Sequence, residues 1–130
     1  MGQMHPIPTG AKILVVEDEA LIGEMVVDAL EEQGFDVFLV SNAADALHYV
    51  ESGARVDALF TDVHLPGGMD GSELANRVRA LRPDMPIVYA SGRWHPSDRE
   101  RLVPRSVFLT KPYDPRDAGS LLMRLVGMPH

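Results

Sequence analysis

Five short apolar runs, separated by segments of helical periodicity, constrain this chain more than any other feature of its sequence. The first, Lys12-Ile13-Leu14-Val15-Val16, is rich in β-branched residues and stops at the acidic Glu17-Asp18-Glu19. It reads as a strand buried on both faces. Residues 35–40, 57–61, 86–90 and 106–110 repeat the pattern, the third run ending at Asp62. Between them, Leu21, Ile22, Met25, Val26, Ala29 and Leu30 recur at helical spacing before Gly34. Ser41 or Asn42 can cap a helix through Val50 that ends near Gly53. Leu74, Val78 and Leu81 form the stripe of a helix over 72–81, closed by Arg82-Pro83, and a last helix spans 114–126. Between the fourth and fifth strands the signal weakens. Residues 95–103 offer only Leu102 and Val103 as clear apolar anchors, and Pro104 cuts the segment short. A short or mobile fourth helix is expected there.

Strands alternating with helices imply right-handed crossovers and a parallel sheet covered on both faces. The 130 residues suit one core. Residues 1–10, with Gly2, Pro6, Pro8 and Gly10, read as a flexible lead-in, 11–127 as the domain, and 128–130 as a tail.

Composition narrows the function classes. A formal net charge of -7 argues against a general affinity for nucleic acid. The absence of cysteine excludes disulfides, zinc-thiolate sites and cysteine nucleophiles. The first residues lack the basic and apolar regions of a secretory signal, and no apolar run is long enough to span a bilayer. A cytoplasmic protein without direct nucleic-acid or membrane partners is expected.

In an open parallel sheet, ligands bind beyond the carboxyl ends of the strands, near a switch in strand order. The ends of strands one, three, four and five carry Glu17-Asp18, Asp62, Ser91 and Lys111. Singly, each has an ordinary role as a helix cap, a turn residue or a surface lysine. Together they make coherent chemistry. Close carboxylates repel one another, and a hard divalent cation with oxygen ligands relieves that repulsion. Magnesium binds phosphate oxygens, so such a site suits phosphoryl transfer. One carboxylate can serve as the nucleophile, while an ammonium and a hydroxyl hold the other phosphoryl oxygens.

The ordered set Glu17-Asp18, Asp62, Ser91 and Lys111-Pro112 resembles the receiver domain of two-component response regulators, over roughly residues 11–127. The resemblance implies a flavodoxin-like, doubly wound five-stranded parallel sheet in the order 2-1-3-4-5. It makes Asp62 the phosphoacceptor. Asp18, Asp62 and the His64 backbone carbonyl would coordinate Mg2+, with Glu17 acting through a metal-bound water. Ser91 would be the switch hydroxyl, Phe108 the switch aromatic, and Lys111 the phosphoryl contact, placed by a cis Lys111-Pro112 peptide. The run Tyr89-Ala90-Ser91-Gly92 is similar to the Phe-Ala-Thr-Gly-Tyr signature of an alphaproteobacterial single-domain subgroup. Ser91 replaces its threonine, and Arg93-Trp94 stands where it ends in tyrosine.

The implied partners are a sensor histidine kinase or phosphotransfer protein as donor and a downstream protein as reader. With only a short tail after Val126, output is expected to pass through that second protein. The signal would travel by the face of the fourth helix, fifth strand and fifth helix, in a monomer or a weak phosphorylation-dependent dimer. Catalysis would be limited to the chain's own phosphorylation and dephosphorylation. Two other readings use the same residues: a receiver cut from a hybrid kinase or multidomain regulator, and a degenerate receiver used only for docking. An aspartyl-type phosphatase would need a second acidic residue just after the nucleophile, where His64 stands. Trp94, the single tryptophan, is a candidate partner anchor.

Overall fold

A computed structural model describes residues 10–92 and 102–127. It contains strands β1 (Lys12–Val16), β2 (Asp36–Val40), β3 (Ala58–Asp62), β4 (Ile87–Ser91) and β5 (Ser106–Thr110). The helices are α1 (Ala20–Glu32), α2 (Ala43–Glu51), α3 (Gly71–Leu81) and α4 (Pro115–Gly127). The strands form one all-parallel sheet in the order β2-β1-β3-β4-β5, as expected. The weak helix expected over 95–103 falls mostly outside the described residues, as do Trp94, residues 1–9 and the tail; Leu102 and Val103 are irregular. The labels above therefore count four helices among the described residues, and α4 is the expected fifth.

Two cores flank the sheet. One side chain set, including Leu14, Leu59, Ile87 and Tyr89, meets Leu47 and Val50 of α2 and Leu74 and Val78 of α3. The alternate set, including Ile13, Val15, Phe60 and Val88, meets Val26 and Leu30 of α1 and Leu122 of α4. The period-two alternation of strand side chains produces this division. Being covered on both faces, β3 and β4 are buried at every position, and β1 at all but Lys12. That is why they read as continuous apolar runs.

The helix boundaries follow from local chemistry. The Asn42 side chain accepts from the Asp45 amide at 2.8 Å and starts α2. The Asp70 carboxylate accepts from the Glu73 amide at 2.9 Å and starts α3. The Arg82 guanidinium donates to the Val50 and Ala54 carbonyls, 3.1 Å each, and closes the end of α2.

Three large apolar helix residues are exposed among the described residues. Leu21 and Met25 of α1 are exposed, at 76% and 58%, and Leu81 at the end of α3 is half exposed. The first turns of α1 lie near the loop between β5 and α4. Ile22 packs partly against the core, while it and the exposed Met25 border an open apolar groove with Tyr113 and Pro115.

Candidate functional site

Register decides what meets at the carboxyl edge. Val16 of β1 lies beside Thr61 of β3, Asp62 beside Ala90 of β4, and Ser91 beside Thr110 of β5. The next residues, Glu17 and Lys111, therefore enter the same edge from either side of Asp62. Strand order reverses between β1 and β3, so the crevice of a doubly wound sheet opens here. Backbone bonds hold the edge together. The Glu17 amide donates to the Val40 carbonyl, Val63 to Ala90, and Lys111 to Ser91, at 3.1, 3.0 and 2.9 Å.

Asp62 is 4% exposed, and the Lys111 ammonium lies 2.7 Å from its Oδ1. Burial alone would lower the lysine's pKa. The Asp62 hydrogen bond and the charges of Asp62, Glu17 and Glu19 outweigh it and hold the ammonium above its ordinary range. Glu17 is buried and Asp18 exposed, and oxygens of Glu17, Asp18 and Asp62 lie within 4.8 Å of one another. Burial raises the Glu17 carboxyl to about 7, and the neighbouring Asp62 carboxylate adds to the rise. Two contacts oppose it: the Glu19 amide donates to Glu17 Oε2 at 3.0 Å, and Lys111 attracts the charged form. Three crowded carboxylates facing one ammonium make a donor set suited to a hard divalent cation.

A cleft of about 510 Å³ opens over Asp62, lined by His64, Ala90, Ser91, Gly92 and Lys111. Ser91 is buried at the end of β4, and its strand neighbour Thr110 is exposed. His64 is exposed in the loop after β3, between the buried Val63 and Leu65. Phe108 is half-buried on β5, in register with Tyr89, and packs against the core shared with α2 and α3. The Lys111-Pro112 peptide is cis, as expected. All seven sequence-derived site residues thus sit at this edge except Phe108, which lies one layer below it.

Further residues shape the site. The Gly71 amide donates to the Val63 carbonyl at 2.7 Å, and a Cβ on Gly71 would collide with the Asp62 carbonyl oxygen. No larger residue lets α3 begin so close to β3. The buried Thr61 hydroxyl donates to the same Asp62 carbonyl at 2.9 Å. Tyr113 packs edge-on against Phe60, ring centres 5.7 Å apart, and burial together with the Asp62 and Glu17 charges raises its phenol. The signals were slight: Gly71 follows a helix-capping aspartate, Thr61 precedes Asp62 inside an apolar run, and Tyr113 follows Lys111-Pro112.

Comparison with known proteins finds one family model, the response regulator receiver domain, matching residues 13–122. The uncharacterized transcriptional regulatory protein YbdJ of Bacillus subtilis strain 168 is 31% identical over 120 residues, covering 92% of this chain and 51% of that protein. The chain spans about half the length of the curated relatives it matches. A response regulator receiver protein from Sinorhizobium medicae WSM419 superposes with a TM-score of 0.85 at 32% identity, covering 90% of this chain and 94% of the other. The receiver domain of the sensor histidine kinase PA1611 from Pseudomonas aeruginosa PAO1 superposes at 0.80 with 27% identity, covering 92% and 100%. That structure is described as holding a magnesium ion in its active site cleft.

Proposed function

The chain belongs to the response regulator receiver domain family of two-component signalling, and from that premise we propose that Asp62 accepts a phosphoryl group from the phosphohistidine of a sensor kinase or phosphotransfer protein. The single observation that carries this reading is the buried Asp62 carboxylate, paired with Lys111 at 2.7 Å and opening on a cleft. A structural ion pair would have no need of two further carboxylates beside it or of an open approach.

In the proposed reaction one Asp62 oxygen attacks phosphorus in line, the new O–P bond forms, and the N–P bond to the donor imidazole breaks with its electron pair. The Lys111 ammonium, already at the carboxylate, is placed to turn to a phosphoryl oxygen as charge moves there. The Ser91 hydroxyl donates a hydrogen bond to another, and Gly92 keeps the approach clear. Asp18, Asp62 and the His64 carbonyl would hold Mg2+, with Glu17 acting through a water. The ion would neutralise the charge that gathers when a phosphoryl group meets three carboxylates. The apolar groove of about 320 Å³ between Ile22, Met25, Tyr113 and Pro115 also borders Lys111, which suits a donor domain seated against α1.

Phosphorylation would draw Ser91 toward the phosphoryl group and change the packing of Phe108 on β5. That biases an existing equilibrium, and a downstream protein reads the altered face. The test is phosphoryl uptake from acetyl phosphate followed by intact-protein mass. The wild-type chain should take up one phosphoryl group when Mg2+ is supplied, and Asp62→Asn none. Uptake by Asp62→Asn would end this assignment.

A further inference from the structure

Tyr89 lies two residues before Ser91, so both side chains project from the same face of β4. It is fully buried, and its hydroxyl reaches across the gap between strands to the segment that leads into β5. There the Val103 amide donates to the Tyr89 hydroxyl at 3.3 Å, and the Ser106 side chain is a second hydrogen-bond partner of that hydroxyl. Ser106 in turn donates to the Val103 carbonyl at 2.5 Å. Val103 and Ser106 thus meet at the Tyr89 hydroxyl, and the Ser106–Val103 bond ties the two together.

The same segment is gripped from another side. The Arg79 guanidinium of α3 donates to the Pro104 carbonyl at 2.6 Å and the Arg105 carbonyl at 3.3 Å. Arg105 itself has φ of 61°, a left-handed conformation that a non-glycine residue adopts only under constraint. Arg79 Nε is buried and has no hydrogen-bond partner among the described residues. Residues 102–106 are thus a strained joint, held by one buried hydroxyl from β4 and one guanidinium from α3. Tension at a joint held this way is released or shifted when either anchor moves.

We propose that the Tyr89 hydroxyl is a positioning group of the switch, coupling the strand end that carries Ser91 to residues 102–106. Any pull on Ser91 toward the phosphoryl group displaces β4, and Tyr89 passes that displacement to Val103 and Ser106. Phe108, beside Tyr89 in register, receives it through packing; Val103 receives it through a hydrogen bond. The phenylalanine of the signature that this strand end resembles would lack that bond. The inference rests on Asp62 being the phosphoacceptor, and its test separates the two.

Residue-resolved NMR of the whole chain with Mg2+ and beryllofluoride reads both. In the wild type, the amides of Asp62, Gly92, Val103 and Ser106 should all shift. Tyr89→Phe should bind beryllofluoride within about twofold of the wild type and shift Asp62 and Gly92 normally, yet lose more than about half of the response at Val103 and Ser106. Ser106→Ala, which keeps the tyrosine, should weaken the same response in part and serves if Tyr89→Phe does not fold. A wild-type chain that binds no beryllofluoride overturns the phosphoacceptor reading and this one with it. A wild type that binds but leaves Val103 unmoved, or a folded variant with an undiminished Val103 response, overturns the coupling alone.

Discussion

β3 and β5 each deliver one charged member of the same ion pair, yet they are built differently. β3 is buried at all five positions, and Asp62 at its end is 4% exposed. β5 is an edge strand, half-buried along most of its length and exposed at Thr110, and the Lys111 side chain is 28% exposed. Packing of this density fixes the acceptor's place, because a buried strand with close neighbours on both faces resists displacement. The edge strand has fewer neighbours and can shift at lower cost. The carboxylate side of the site is the more tightly packed, and under the proposed switch the lysine side would carry the movement. Leu102 to Thr110, with the left-handed Arg105 and half-buried Phe108, belongs to the less tightly packed side.

The largest effect is expected at the closest contact on the fixed side. Gly71→Ala puts a methyl group against the Asp62 carbonyl, so α3 or β3 must move. We expect a loss of about 3 kcal/mol or more in urea unfolding, together with weakened Mg2+ binding. Unchanged stability would mean that the fixed side yields as easily as the edge.

Next come matched truncations on the two strands. Leu59→Ala in β3 removes a fully buried side chain and should cost about 3 kcal/mol. Leu109→Ala in β5, where the side chain is only half-buried, should cost about 1 kcal/mol. Equal costs would erase the distinction between the strands.

A more gradual effect is read from pH. The Glu17 carboxyl is raised from 4.5 to about 7 in the fold, mainly by burial. Between these values the folded chain keeps a proton that the unfolded chain has lost, so the contribution is full below 4.5 and gone above about 7. Without metal, stability should fall by about 3 kcal/mol across that window, and Glu17→Gln should flatten the slope. Lys111, whose pKa is raised above 10.5, contributes a loss only at still higher pH, so the neutral window reports the buried side.

The two sides also differ in how much the sequence reveals. β1 and β5 have the bounds that their apolar runs predict, and β3 differs only by exchanging Asp57 for Asp62 at its ends. Short β-branched runs with polar stops carry that information locally. The juxtaposition of Glu17, Asp18, Asp62, Ser91 and Lys111 followed from one topological rule about strand ends. Leu21 and Met25 keep the helical spacing yet are exposed, because that spacing names a face without saying how far the partner surface extends. The Asp62 carbonyl against Gly71 depends on how closely α3 packs on β3. The Tyr89 tether spans 14 residues and the Arg79 grip on Pro104 spans 25. Neither leaves a periodic mark, because each is made by tertiary approach.

The most direct measurement of the central claim locates the phosphoryl group itself. Borohydride reduces an acyl phosphate to the alcohol, so an aspartyl phosphate becomes homoserine at the residue that carried it. The chain is phosphorylated with acetyl phosphate and Mg2+, reduced, digested and mapped by mass. Homoserine at position 62, absent when Mg2+ is withheld, is the predicted result. Homoserine at another aspartate, or no conversion in a folded chain with Mg2+ present, would contradict it.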